Sequence, residues 1–175
     1  MAYLSVDPRT IQGAIKFLDS VQVESGAGYG YTDPGKGPAT TAVGLLCRMY
    51  LGWKKDHPGI QRGVEFLSAS GPSKGNMYYN YYATQVMRHY EGEKWDKWNV
   101  EMRDWLVGSQ EKDEKSHLSG SWSMKGDHGS DAGGRIYCTS MATMILEVYY
   151  RHMPIYAKQA SEDEFPLEAK PVGKK

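Results

Sequence analysis

Apolar residues in this chain recur at the three-to-four-residue spacing of amphipathic helices, in stretches divided by glycine and proline. Asp7-Pro8 opens the first helix, the Asp as cap and the Pro as first helical residue. Ile11, Ala14, Ile15, Leu18 and Val21 then fall in phase, and the helix stops before Gly26-Ala27-Gly28-Tyr29-Gly30. A second helix starts near Pro38 and Thr40 and carries Ala42, Leu45, Leu46, Met49, Tyr50 and Trp53. The third follows His57-Pro58 with Ile60, Val64 and Leu67, and ends at Gly71-Pro72. The fourth runs from about Met77 to Tyr90 through Tyr79, Tyr82, Ala83, Val86 and Met87, and Gly92 stops it. The fifth holds Trp98, Met102, Trp105 and Leu106 and runs out near Gln110. A polar, glycine-rich loop from 111 to 134 precedes the sixth, which extends from about Arg135 to His152 and is ended by Pro154. Met141, Met144, Ile145, Val148 and Tyr149 form its stripe. No segment reads as a strand. Tyr78 to Tyr82 is β-prone, but it continues into a helical stripe.

The odd and even helices differ in kind. The first, third and fifth have one apolar stripe and a charged face, as in Lys16 and Asp19, Arg62 and Glu65, or Glu101 and Arg103. The second, fourth and sixth are apolar or aromatic nearly all round, which predicts burial on more than one side. Such alternation is expected of an outer and an inner layer, where a simple bundle makes all helices alike. Repeats point the same way. Phe17-Leu18, Phe66-Leu67 and Trp105-Leu106 lie near the ends of the odd helices, spaced by 49 and then 39 residues. Ala83-Thr84 and Ala142-Thr143 open matching stretches of even helices, each with a tyrosine seven residues after the Ala (Tyr90, Tyr149). The expected fold is all-α: six main helices in three helical hairpins over residues 1–156, followed by a loosely held tail over 157–175.

Composition narrows the function classes. The 21 basic and 21 acidic residues cancel, which gives no electrostatic case for nucleic acid or an anionic membrane. Thirteen Tyr and five Trp are too many for a solvated tail, and tyrosine suits half-buried surfaces and clefts. Cys47 and Cys138 sit in apolar helical stretches without CxxC spacing, as buried free thiols rather than a zinc or redox pair. MAYLSVDPRT lacks a basic segment followed by an apolar run, so no signal peptide is expected, and no apolar window approaches a membrane span. The compartment is left open.

Phe17-Leu18-x3-Gln22 precedes glycines and Tyr29, and Trp105-Leu106-x3-Gln110 precedes Gly120-Ser121-Trp122. Arg62-Gly63-x2-Phe66-Leu67 supplies the first half of the pattern without the Gln. Over roughly Ile11 to Tyr156 the chain thereby resembles the prenyltransferase and squalene-cyclase (terpenoid-cyclase) superfamily, of the uncharacterised bacterial kind, with its QW repeats. The resemblance implies an α/α toroid in which Gln and Trp staple neighbouring hairpins. The Gln would satisfy backbone groups at helix ends and the Trp would stack over it. Departures are a long gap between Gln110 and Gly120 and the missing Gln of the middle repeat. A closed ring of this type takes more than three hairpins. Three would form an incomplete arc with an exposed apolar face at each end, to be completed by a second copy or by the rest of a longer polypeptide.

The motifs by which this fold does chemistry are not in the sequence. It has no Asp-x-Asp-Asp acid, no Asp-Asp-x-x-Asp magnesium motif, no Asp-x-Cys zinc pair and no Cys-Gly-Glu-Gln thioester. No catalytic residue, metal ligand or cofactor is assigned. The best polar constellation is Asp127, His128 and Asp131 with Arg135. One reading makes it an acid/base or metal cluster at the mouth of the ring. The other, which the residue spacing favours, has Asp131 capping the sixth helix while Asp127 and His128 are solvated. His89 and His152 are expected against helix C-terminal carbonyls. Among the aromatics, Tyr50, Tyr78, Tyr79, Tyr82 and Tyr149 are the candidates to line a cavity. The expected function is a helical-toroid module that binds a hydrophobic, isoprenoid-like small molecule or a protein partner. The alternative is part of an isoprenoid cyclase or prenyltransferase-like enzyme whose catalytic residues lie outside this chain, and carbohydrate processing is a third reading.

Overall fold

The computed structural model describes residues 6–151 and 155–156. Seven helices account for most of these residues: α1 (Pro8–Val21), α2 (Pro38–Tyr50), α3 (Pro58–Ser70), α4 (Met77–Tyr90), α5 (Glu93–Ser109), α6 (Ser130–Leu146) and α7 (Val148–Arg151). Proline opens α1, α2 and α3, where its fixed φ suits the helix and its missing N–H would have had no partner. Side chains complete several starts. Asp7 accepts from the Arg9 amide at 2.8 Å, His57 Nδ1 from Gly59 at 3.1 Å and Asn76 from Tyr79 at 2.8 Å.

Two local expectations are corrected. Gln22–Val23 (β1) and Gly28–Tyr29 (β2) form a short antiparallel pair, with Gln22 opposite Tyr29 and Val23 opposite Gly28. The turn between them puts Glu24, Ser25 and Gly26 at positive φ. Two of these are not glycine, a conformation that costs about 1 kcal/mol or more each and needs outside support. Arg62 supplies some by donating to the Glu24 carbonyl at 2.9 Å, and Gly26 lies against the Trp53 ring. The sixth helix begins at Ser130 rather than Arg135, because a first turn precedes a break at Gly134 (φ 56°). It also stops at Leu146, with α7 following as a separate piece. Thr143 bonds back to the Thr139 carbonyl at 2.8 Å, a contact that bends helices. His152 and the 157–175 tail lie outside the described residues.

The even helices are neighbours in chain order. α4 packs against α2 on one side and α6 on the other, α3 lies on α2 and α4, and α5 lies on α4. α4 is buried over most of its surface, from Met77, Tyr79 and Asn80 through Thr84, Gln85 and Val86 to Met87 and His89, with Tyr78 exposed. α3 buries one stripe, Gly59, Ile60, Gly63, Val64 and Leu67. Here the pattern of one-sided and all-round helices holds. It fails for α6, which buries only Cys138, Ala142 and Ile145, because no described element covers its far side.

One junction recurs at α2, α4 and α6. In the first turn or so of α2 and α4, and of the part of α6 that follows the Gly134 break, short polar side chains bracket the backbone of a residue that precedes the helix. Thr41 Oγ1 accepts from the Tyr29 amide at 3.1 Å while Thr40 Oγ1 donates to the Tyr29 carbonyl at 2.6 Å. Asn80 does both jobs for Ser73, at 2.8 and 2.6 Å. Thr139 does the same for Trp122, at 3.1 and 3.4 Å. The middle hairpin, lacking the Gln of the other two, thus keeps its junction through Asn80.

The three aromatic–Leu pairs are placed alike. Leu18, Leu67 and Leu106 are all buried, while Phe17, Phe66 and Trp105 sit at the rim. The division of labour between Gln and Trp differs from expectation. The Trp122 indole donates to the Leu106 carbonyl at 2.8 Å, so the Trp and not the Gln satisfies the end of α5. Gln110 instead donates across the loop to the Gly120 carbonyl at 2.9 Å, beside the paired backbones of Glu111 and Ser121. In the first hairpin Gln22 lies in β1 and Tyr29 takes the aromatic place. The Tyr29 hydroxyl accepts from the buried Arg48 Nε at 3.1 Å, and the Arg48 guanidinium pairs with Asp19 and lies 4.5 Å from the Trp53 ring centre.

Candidate functional site

The best-formed concavity opens where α1, the loop after β2, and the N-terminal halves of α2 and α4 meet. It is a cleft of about 470 Å³. Phe17, Leu18 and Val21 come from α1, Ala39 and Val43 from α2, and Tyr78 from α4, with Tyr29 from β2 and Tyr31 from the loop after it. Thr40, Asn76 and His128 are its polar members. A mostly apolar lining with a few polar groups at one end is the usual make-up of a small-molecule pocket, and the volume is within the usual range. The local folding explains its shape. Helix spacing puts Ala39 and Val43 one turn apart on the same face of α2, and Gly44 behind them lets the Tyr29 ring pack directly on the helix backbone. A Cβ at Gly44 would lie 2.3 Å from that ring. A second, shallower depression of about 450 Å³ lies on the other side of Thr40 and Asn76, against Gly71, Ser73 and Tyr79.

The five candidate tyrosines do not converge. Tyr50, Tyr78 and Tyr82 share one neighbourhood with Tyr81 and Cys47. The Tyr78 and Tyr82 ring centres are 4.7 Å apart and those of Tyr81 and Tyr82 are 5.0 Å apart. Burial, with Tyr78, Tyr81 and Cys47 nearby, pushes the Tyr82 hydroxyl up to about 12, and burial raises Tyr50 as well. Tyr79 and Tyr149 are elsewhere. Tyr79 is buried, donates to the Gly71 carbonyl at 3.0 Å and meets Trp98 edge-on, so it is a packing residue. Tyr149 lies against Trp95 on the α5 side, and the Arg88 guanidinium is 5.7 Å from both rings. Only Tyr78 among the five lines the cleft. Residue type alone did not separate them, because the face a helical tyrosine presents depends on which neighbour occupies it.

The polar constellation also comes apart. Asp127 is buried, not solvated. One carboxylate oxygen accepts from the Met77 amide at 2.5 Å and the other from Gly129 at 2.9 Å, so it completes the start of α4 from fifty residues away. His128 is exposed at the cleft rim. Asp131 is exposed in the first turn of α6, where a negative charge suits the helix dipole, but Gly129 occupies the cap position without a side-chain bond. Arg135 donates to Ser121 at 2.9 Å. Among the described residues no group of three or more His, Cys, Asp or Glu is placed to hold a metal ion. His89 is buried, its Nδ1 accepting from the Ile155 amide at 3.3 Å and its Nε2 lying 3.4 Å from the Tyr50 hydroxyl. Cys138 is buried and Cys47 half-buried, both as free thiols.

Phe17 and Leu18 were expected only as repeat residues, and Ala39, Val43 and Tyr31 were not expected at the site at all. Their convergence depends on how α1 meets α2 and α4, which no local pattern announces. No described helix is long and apolar enough to cross a membrane. No protein-family model, curated protein or solved structure matches the chain.

Proposed function

We propose that this chain is an arc of three α/α hairpins of the terpenoid-cyclase kind that binds a hydrophobic small molecule in the cleft between α1 and α2. The observation that carries the reading is the cleft itself: about 470 Å³, walled by Leu18, Val21, Val43 and Tyr78, with Thr40, Asn76, His128 and the tyrosines as its polar groups. At interior packing density such a space takes an aliphatic molecule of roughly 15 to 20 heavy atoms, the size of a short isoprenoid. Apolar walls reward burial of apolar surface at about 25 cal/mol per Å². The order α2, α4, α6 and the junction repeated at Thr41, Asn80 and Thr139 support the arc. The sequence carries none of the acid, metal or thioester motifs of this fold, so the module is assigned binding and no reaction.

The test is titration of the full chain with farnesol, followed by calorimetry and native mass spectrometry, alongside Val43→Arg. Val43 is half-buried at the cleft wall, so an arginine there keeps its charge near solvent while blocking the apolar volume. Saturable binding that Val43→Arg abolishes supports the proposal. Absence of binding to the wild type, or equal binding by the variant, overturns it.

A further inference from the structure

The cleft does not end at its polar side. Ala39, Thr40 and Asn76 line both the cleft and the second depression, so the two concavities adjoin across a saddle made by the starts of α2 and α4. Among the described residues no Lys, Arg, Asp or Glu lines either one. An ionised head group at the saddle would give up hydration without meeting a counter-charge. Pro38, at the first position of α2, also removes one of the amides that a helix start offers to an anion.

Most polar groups of the cleft are already engaged or point to solvent. The Tyr29 hydroxyl accepts from Arg48, the Tyr78 ring packs on Tyr82, and Tyr31 and His128 stand exposed. Two groups at the saddle are left, and each has one role open. The Thr40 hydroxyl commits its hydrogen to the Tyr29 carbonyl at 2.6 Å, with the Gly37 carbonyl 3.1 Å away, so it offers only lone pairs. Asn76 is the converse. Its Oδ1 accepts from the Tyr79 amide at 2.8 Å, which fixes the orientation of the side-chain amide. The Nδ2 hydrogens then meet no acceptor among the described residues. The saddle therefore presents one open donor and one open acceptor.

We infer that the ligand of the cleft is a neutral amphiphile, an aliphatic chain that carries a hydroxyl head to the saddle. There Asn76 Nδ2 donates to the hydroxyl oxygen, and Thr40 Oγ1 accepts the hydroxyl hydrogen. A hydroxyl answers both groups through a single atom. An ether leaves Thr40 without a donor, and a phosphate or carboxylate sets negative oxygens against its lone pairs. The second depression gives room for a head larger than one hydroxyl. The inference rests on the proposed reading of the cleft and adds to it the chemistry of the head group.

Calorimetric titration with four ligands of one chain length tests it: farnesol, farnesyl methyl ether, farnesyl phosphate and farnesylamine. Wild type is expected to bind farnesol about tenfold more tightly than each of the others. Asn76→Asp keeps the oxygen that starts α4 and replaces the open donor with a carboxylate oxygen. It is expected to weaken farnesol about tenfold and to strengthen protonated farnesylamine, reversing their order, with helical circular dichroism unchanged. Should the variant lose helicity, the wild-type ranking decides alone. Equal binding of all four ligands, still blocked by Val43→Arg, leaves the cleft reading standing and overturns the hydroxyl assignment. Tighter binding of the phosphate, or an unchanged order in a folded Asn76→Asp, overturns it as well. A wild type that binds none of the four overturns both.

Discussion

Asn80→Ala removes both halves of the middle junction at once. Asn80 is fully buried and bonds the Ser73 amide at 2.8 Å and the Ser73 carbonyl at 2.6 Å. Loss of a hydrogen bond costs about 0.5–1.5 kcal/mol when the stranded partner finds water, and about 1–3 kcal/mol when it does not. Ser73 is half-buried, so its backbone recovers some hydration, and the void left by the amide adds to the loss. The sum is about 2–4 kcal/mol, or roughly 5–15 °C in Tm at about 2–4 °C per kcal/mol. Asn80→Asp separates hydrogen bonding from simple filling of space. Its first oxygen still accepts from Ser73, but the second would face the Ser73 carbonyl and could bond it only when protonated. Burial and that carbonyl raise the folded-state pKa above its unfolded value, so the variant is least destabilised below the unfolded pKa and loses stability as pH rises from there. Urea unfolding followed by circular dichroism at pH 4 and pH 7 measures both effects. A loss below about 0.5 kcal/mol for Asn80→Ala, or equal losses for Asn80→Asp at the two pH values, would refute the account of the junction.

Two further outcomes follow from the same geometry. Asp127→Ala strands the amides of Met77 and Gly129 and should cost about 1–3 kcal/mol, with amide exchange at Met77 accelerated well beyond that at Val86 on the same helix. Alkaline titration followed at the tyrosinate absorbance should show late ionisation of Tyr82 and Tyr156, both pushed up to about 12 by burial. Because these pKa values are raised above the unfolded value near 10, stability should be intact below pH 10 and decline between about pH 10 and 12. Stability unchanged across that window would contradict the placement of the two rings.

The helices were legible because their apolar spacing and their punctuation agree. Pro8, Pro38 and Pro58 mark the starts observed, and the Leu of each aromatic–Leu pair points inward as the repeat requires. What stayed hidden depends on contacts between distant segments. Asp127 looks solvated until Met77, fifty residues earlier, is set beside it. Tyr79 and Tyr82 are three residues apart on one helix, yet Trp98 claims the first while the second joins Tyr78 and Tyr81. The short β pair escaped because two residues per strand carry no alternation to read. Burial all round α6 failed since an apolar composition states what a helix would tolerate, whereas cover depends on whether a neighbour is there. The cleft likewise lies away from four of the five tyrosines, because Phe17, Leu18 and Val21 of α1 meet Val43 and Tyr78 only in the folded chain.

The central claim is that the cleft beside α1 and α2 is where a hydrophobic ligand sits. Methyl-resolved NMR of the full chain during titration with farnesol tests it most directly. The account predicts saturable shifts at Leu18, Val21 and Val43, with Val100 and Val107 on the exposed side of α5 unmoved. Shifts confined to the methyl groups of α5, or none at Val43 at saturating ligand, would contradict it.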